Sequence, residues 1–340
     1  MVFPHFAPRA RQWTAEPAAG DARDFHRTLP DYRPTPLRPA PGLATELGVA
    51  EVWVKDESQR LGLPAFKILG ASWACHQVQD RHPGAALVTA TEGNHGRAVA
   101  RMARHFGVPA IIFVPDNASR RTVDLIAGEG AWVIKVEGRY DDAVETAREY
   151  AAAGPGRELV QDTAWEGYAE VPAWIVAGYR TLLLEIDEEL GRAPDLIAVP
   201  VGVGSLAEAV VRHYRQPGDR VRPTVLTVEP EGAACVLASL TAGELTSVRT
   251  GTTILAGLNC ATPSASAWPV LRDGCDAAVA VIDDQVRAAL VELDEEGIAT
   301  GPCGAATLAG LRAALADEAF ELPADAVVVL INTEGPTQGV

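Results

Sequence analysis

Short apolar runs recur along the chain, each closed by a polar or glycine-rich turn and followed by a longer amphipathic stretch. They are EVWVK (51–55), ALVTAT (86–91), AIIFVP (110–115), AWVIKV (131–136) and ELVQDT (158–163), then DLIAVPV (195–201), TVLTVEP (224–230), AAVAVID (277–283) and AVVVLINT (326–333). A strand apolar at successive positions is buried on both faces, which a parallel sheet covered by helices provides. The intervening stretches 67–82, 96–107, 119–130, 140–154, 172–190, 205–214, 284–297 and 305–319 supply those helices. In one of them Leu206, Val210 and Tyr214 fall four apart on a single face. The expected fold class is therefore α/β, with parallel-rich twisted sheets flanked by helices. Ligands of such sheets bind at the carboxyl ends of the strands. The first 42 residues, rich in Pro and Arg, read as an irregular arm.

Composition narrows the partners. The 340 residues are 48% hydrophobic and 22% charged, enough for a sizeable core. A net charge of −16 opposes binding to nucleic-acid phosphates and to anionic membranes, so neither partner is expected. No apolar run approaches the roughly 18 residues that a membrane span needs, and the opening MVFPHFAPRARQW has no apolar core of a leader. Five cysteines with no C-x-x-C spacing read as reduced thiols of a cytoplasmic protein, with no metal site.

The chemistry is expected in the turns after the strands. Glu92–Gly96 (EGNHG) joins a strand to a helix N-terminus and offers backbone N–H groups to an anion. Gly202–Ser205 (GVGS) does the same after DLIAVPV, where a phosphate is the natural guest. Gly202, Gly204 and Ala207 also fit G-x-G-x-x-A, and Glu229 ends the next strand, so a nicotinamide-dependent oxidoreductase is a rival reading. AWEGY (164–168) follows ELVQDT and puts Asp162, Trp165, Glu166 and Tyr168 at a strand end, either as an acid between aromatic walls or as a packed aromatic pair with surface acids. The last strand ends in NTEGPT (332–337). Lys67 stands inside the apolar run PAFKILGAS, just within a helix N-terminus. There the dipole and dry surroundings favour a neutral, nucleophilic amine. A Schiff-base lysine, a phosphate loop and a polar turn together suit an aldehyde that carries a phosphate, and pyridoxal phosphate is that molecule.

These segments, in this order, resemble the fold type II pyridoxal-phosphate enzymes, the tryptophan synthase β and threonine dehydratase group. Within it they resemble the diaminopropionate ammonia-lyase branch. The motifs that carry the resemblance are KDES (55–58), AFKILGAS (65–72), EGNHGRAVA (92–100), VQDTAWEGY (160–168), GVGSLAEAV (202–210), AGLNCATPSASAWPVLR (256–272) and NTEG (332–335). The resemblance implies a large cofactor-binding domain (1–67 and 176–340), a small substrate domain (68–175) and a homodimer. It implies that Lys67 bonds the cofactor aldehyde and that Asn94 stands beside the ring hydroxyl. Gly202, Val203, Gly204, Ser205 and Leu206 then wrap the phosphate, and Thr333 faces the pyridine nitrogen. Thr91, Glu92, Gly93, Asn94 and His95, with Asp162, are expected to receive the substrate.

The implied reaction is β-elimination from a small amino acid, 2,3-diaminopropionate above others, to a 2-oxo acid and ammonia. Lys67 serves the L-isomer and the residue at 92 the D-isomer, while Asp162 assists the leaving group as an acid. The branch carries aspartate where this chain has Glu92. The paired carboxylates Glu92 and Asp162 suit a cationic β-amine better than a neutral hydroxyl. Dehydration of a serine- or threonine-type substrate is the alternative on the same scaffold.

Overall fold

The computed structural model describes residues 4–16, 21–91, 93–218 and 221–336. In chain order the strands are β1 (His5–Phe6), β2 (Leu37–Pro39), β3 (Glu51–Asp56), β4 (Ala86–Ala90), β5 (Ala110–Pro115), β6 (Trp132–Val136), β7 (Arg157–Leu159), β8 (Leu196–Pro200), β9 (Thr224–Pro230), β10 (Ala277–Val281) and β11 (Val327–Asn332). The chain divides into two compact units. The larger comprises Met1–Gly20, Asp31–Phe66 and Tyr179–Val340, and the smaller Asp21–Pro30 and Lys67–Gly178.

The larger unit holds a seven-stranded sheet in the order β1-β10-β9-β8-β11-β3-β2. Its five central strands are parallel, while β1 and β2 pair antiparallel at the two edges. Every residue of β8, β9 and β11 is buried, as strands enclosed on both faces require. The sheet order turns at β8, because its successors β9 and β10 lie on one side and β11 on the other. That is a switch point, where neighbouring loops part and leave room for a ligand. The helix Pro302–Leu315 lies within the main core with Leu308, Ala309 and Leu311, against Leu226, Val228 and Leu330.

The smaller unit holds four parallel strands in the order β6-β5-β4-β7. Val88, Ala90, Ile111 and Phe113 form its core with Ala143 and Ala147. The helix Lys67–Arg81 buries Ile68, Leu69, Ala71, Ala74, Cys75 and Val78.

Two expectations are corrected. The first 42 residues are not an irregular arm. Asp21 caps a helix over Ala22–Thr28 by accepting from Arg23 N at 2.9 Å, and Pro41 opens a second helix, Pro41–Leu47. The first of these belongs to the smaller unit, where Phe25 stacks on His76 at 4.2 Å and His26 Nε2 donates to Leu69 O at 3.0 Å. These elements are too short for a periodic pattern to show. The strand expected over 158–163 ends at Leu159. Beyond it the Tyr168 hydroxyl accepts from Gln161 N at 2.8 Å and donates to Leu159 O at 2.9 Å, so a side chain takes the place of a neighbouring strand.

The larger unit contains a buried ionic network, one member of which, Lys55, stands in β3. Glu185 Oε2 accepts from Lys55 Nζ and from Arg60, both at 2.7 Å, and Glu57 accepts from Arg60 Nε at 2.7 Å. Thr35 ties the preceding segment in, donating to Glu57 at 2.6 Å while its carbonyl accepts from Lys55 at 2.7 Å. All four charged side chains are at most 1% exposed. Two cations and two anions balance, which makes their burial tolerable. Glu185→Ala leaves Lys55 and Arg60 with one anion between them. It is expected to cost about 3–5 kcal/mol of stability, measured as a lowered midpoint of chemical denaturation.

Candidate active site

The smaller unit brings Lys67, His95 and Asp162 together. Lys67 is the first residue of its helix, and Asp162 follows β7 in the turn beyond. Lys67 Nζ donates to Asp162 Oδ2 at 2.7 Å, with the lysine 24% and the aspartate 9% exposed. Burial, the largest single effect, would raise the pKa of Asp162, but the Lys67 ammonium and its hydrogen bond, with lesser contributions from its other neighbours, together outweigh it and hold the carboxyl well below the usual carboxylate range. Asp162 is therefore an anion in this state. The role of acid expected of it needs the Lys67 charge to be elsewhere.

The turn after β4 is wound around Thr91. Its hydroxyl accepts from Gly93 N at 2.9 Å and Gly96 N at 3.1 Å, capping the helix Asn94–Phe106. Gly96 is required there, since a Cβ would stand 2.2 Å from Thr91 Cγ2. The amides of Gly93 and Gly96 thus serve the turn itself. Asn94 begins the helix, and His95 behind it is buried. Glu92 lies outside the described residues.

Asp162 is aimed by a brace that its sequence neighbours build. Gln161 Oε1 accepts from Thr89 Oγ1 at 2.8 Å and Ala90 N at 3.1 Å, and its Nε2 donates to Tyr140 OH at 2.7 Å. Trp165 and Tyr168 exchange backbone hydrogen bonds and stack at 4.4 Å. Tyr168 OH bridges Leu159 and Gln161 on either side of Val160. The packed aromatic pair is the correct reading of AWEGY, and Glu166 is exposed. Gln161 and Tyr140 carried no warning, because an amide that organises a turn looks like any surface residue in sequence.

The larger unit carries the rest of the expected set at the ends of two adjacent strands. Gly202–Leu206 follows β8, and Thr333, 5% exposed, follows β11. Gly204 adopts φ +98°, a conformation that side chains resist, and starts the ten-residue helix Ser205–Tyr214. The Val203 carbonyl accepts from Ser264 N at 2.8 Å, and the Gly202 carbonyl accepts from the Cys235 thiol at 3.6 Å. First-turn amides of a helix have no partner within it, so this glycine turn and helix start suit a phosphate. Phe66, the last residue of this unit before Lys67, donates its N–H to Thr333 O at 3.1 Å. Glu334 caps the helix Pro302–Leu315, accepting from Cys303 N at 3.2 Å.

Glu229 settles the rival reading. Its two oxygens accept from Val236 N at 2.8 Å and Leu237 N at 2.7 Å, fully buried, so it caps the helix Cys235–Ala242. A carboxyl that is fully buried and bonded to these two amides is turned away from any ligand, and the dinucleotide fingerprint at Gly202, Gly204 and Ala207 is without its acid. Within the larger unit the glycine turn suits a phosphate and the Thr333 hydroxyl a ring nitrogen, and within the smaller unit the Lys67 amine is of the kind that bonds an aldehyde; these are the groups that pyridoxal phosphate carries.

Comparison with known proteins points the same way. The family model "Pyridoxal-phosphate dependent enzyme" matches residues 28–334. The diaminopropionate ammonia-lyase of Escherichia coli (strain K12) is 36% identical over 93% of this chain and 88% of its own. A human L-serine dehydratase/L-threonine deaminase is 32% identical over 81% of each chain. The crystal structure of diaminopropionate ammonia lyase from Escherichia coli in complex with an aminoacrylate-PLP azomethine reaction intermediate superposes with a TM-score of 0.88. It shares 33% identity, covering 98% of this chain and 94% of that one. The same enzyme in complex with D-serine gives a TM-score of 0.88 at 31% identity, with the same coverage.

Replacing the Tyr168 hydroxyl tests the brace. Tyr168→Phe strands Leu159 O and Gln161 N. It is expected to lose about 1–3 kcal/mol of stability and to lower kcat more than it raises KM, as checked by denaturation and steady-state kinetics.

Proposed function

The chain belongs to the pyridoxal-phosphate dependent enzymes, and we propose that within them it is an ammonia-lyase that eliminates the β-amine of 2,3-diaminopropionate. The observation that carries this reading is the pairing of Lys67 Nζ with Asp162 Oδ2 at 2.7 Å. It joins an amine able to bond an aldehyde to an anion able to hold a second, cationic amine.

The cofactor would be held by Lys67 through its aldehyde and by the amides of the Gly202–Leu206 turn through its phosphate. Asn94 would stand beside its hydroxyl and Thr333 beside its ring nitrogen. When bound, pyridoxal phosphate supplies an electron sink for the α-carbon. A hydroxyl partner at Thr333 leaves the ring nitrogen less positive than a carboxylate would, which suits an elimination that needs only brief charge storage. The turn Thr91–His95 receives the substrate carboxylate. Lys67 Nζ takes the α-proton of the L-isomer, and Glu92 serves the opposite face for the D-isomer. Asp162 faces the β-amine. As an anion it attracts an ammonium group and offers little to a neutral hydroxyl, which favours diaminopropionate over serine or threonine. Bond breaking releases ammonia, and the enamine left behind hydrolyses to a 2-oxo acid and a second ammonia.

We assign the cofactor's phosphate and ring nitrogen to the larger unit, and its aldehyde, its hydroxyl and the substrate to the smaller one. We further infer a homodimer acting in the cytoplasm on a small amino acid. Five cysteines scattered along the chain with no C-x-x-C spacing support that compartment. Among the described residues, no helix is long and apolar enough to cross a membrane.

Release of 2-oxo acid from L- and D-diaminopropionate, L-serine and L-threonine tests the reading. The expected order places L-diaminopropionate first in kcat/KM. Asp162→Asn is expected to lower that value on the order of a hundredfold, with a smaller loss on serine. Turnover of serine or threonine ahead of diaminopropionate by the unaltered enzyme would replace the lyase reading with the dehydratase one.

A further inference from the structure

His95 places a second acceptor beside the reacting pair. Its Nε2 lies 2.8 Å from Val160 O. A carbonyl only accepts, so Nε2 carries the proton and a neutral ring presents a lone pair at Nδ1. That Nδ1 is buried and has no hydrogen-bond partner among the described residues. It lies 4.0 Å from Asp162 Oδ2, the same oxygen that accepts from Lys67. The ring is 5% exposed and occupies the first turn of a helix, where the dipole disfavours a cation. Burial pushes its pKa below the usual histidine range, with Asp162 pulling the other way less strongly.

A carboxylate oxygen and an imidazole lone pair facing each other at this distance repel unless protons lie between them. A hydroxyl brings one proton and satisfies one of the two. An ammonium brings three and satisfies both. We propose that His95 Nδ1 and Asp162 Oδ2 form a two-acceptor seat for a protonated amine, and that in turnover it takes the leaving β-ammonium of the substrate. Lys67 Nζ already contacts the carboxylate half of this seat in the present structure.

The proposal rests on the ammonia-lyase reading and adds to it the residue that selects the leaving group. The proton balance closes without an acid. The α-proton goes to Lys67 Nζ, and the electrons of that C–H bond form the new carbon–carbon double bond. The β-carbon–nitrogen pair leaves with nitrogen, which departs as neutral ammonia and takes no proton from Asp162 or His95. A β-hydroxyl would leave as hydroxide unless protonated, and neither member of the seat has a proton to give. It would also leave one buried acceptor unpaired, a penalty of about ten- to a hundredfold in selectivity.

The test uses the holoenzyme and two variants. His95→Phe keeps a ring and removes the acceptor, while His95→Gln retains a donor for Val160 O and offers an amide oxygen in place of Nδ1. With His95→Phe, kcat/KM is expected to fall at least about tenfold more for L-diaminopropionate than for L-serine, and His95→Gln should recover part of that selectivity. Equal losses on both substrates would overturn the seat while leaving the lyase reading intact. Absence of diaminopropionate turnover in the unaltered enzyme would overturn the lyase reading itself. Nitrogen-15 NMR of the unaltered protein at neutral pH is independent of how the variants fold. It should show His95 neutral with Nε2 protonated, and a proton on Nδ1 would overturn the proposal.

Discussion

A strand buried on both faces admits a polar side chain only where its hydrogen bonds are met inside, as they are for Glu229 in β9 and Asn332 in β11, and this restriction shapes each unit of the molecule. In β8, β9 and β11 the buried run continues to the last residue, and polar function begins in the turn that follows. The same holds in the smaller unit, where Thr91 and His95 come directly after β4 and Asp162 comes three residues after β7. The turns are not interchangeable loops. Each is fixed by its own internal bonds: Thr91 to Gly93 and Gly96, Tyr168 to Leu159 and Gln161, and Glu334 to Cys303. The chemistry therefore rests on backbone already organised before any ligand arrives, which is what positioning to a fraction of an ångström requires.

Charge gives the smaller unit its character. Lys67 makes Asp162 a stable anion, and Asp162 gives Lys67 a partner where a half-buried ammonium would otherwise be costly. An amine bonded to a carbonyl carbon no longer offers the same ammonium. Asp162 must then find another cation, and a β-ammonium substrate provides one. The pairing seen here and the substrate preference proposed are two uses of one electrostatic need.

Much of this was legible in sequence, for identifiable reasons. The strands showed because buried parallel strands are continuous apolar runs, and Lys67 showed because a lysine within PAFKILGAS breaks such a run. The glycine turn at 202–204 was visible, but its meaning was not, since the fingerprint also fitted a dinucleotide. Only the three-dimensional partners of Glu229 separate the two readings. The ionic network of Lys55, Glu57, Arg60 and Glu185 was hidden, because Glu185 lies 125 residues beyond Arg60 and such pairings leave no local pattern. The brace around Asp162 was hidden for a related reason: Gln161, Tyr140 and Tyr168 act by hydrogen bonds whose partners sequence does not name. The short helices at 22–28 and 41–47 were lost because two turns hold too few residues to display a period.

The account turns on Lys67 as the residue that bonds the cofactor. The direct measurement is borohydride reduction of the purified holoenzyme, followed by peptide mass mapping and an absorption spectrum, beside Lys67→Ala. The account predicts a coloured protein whose visible band is lost on reduction, with the pyridoxyl mass fixed on Lys67 and no such adduct in the variant. A protein that stays colourless with added pyridoxal phosphate, or an adduct mapped to another lysine, would contradict it.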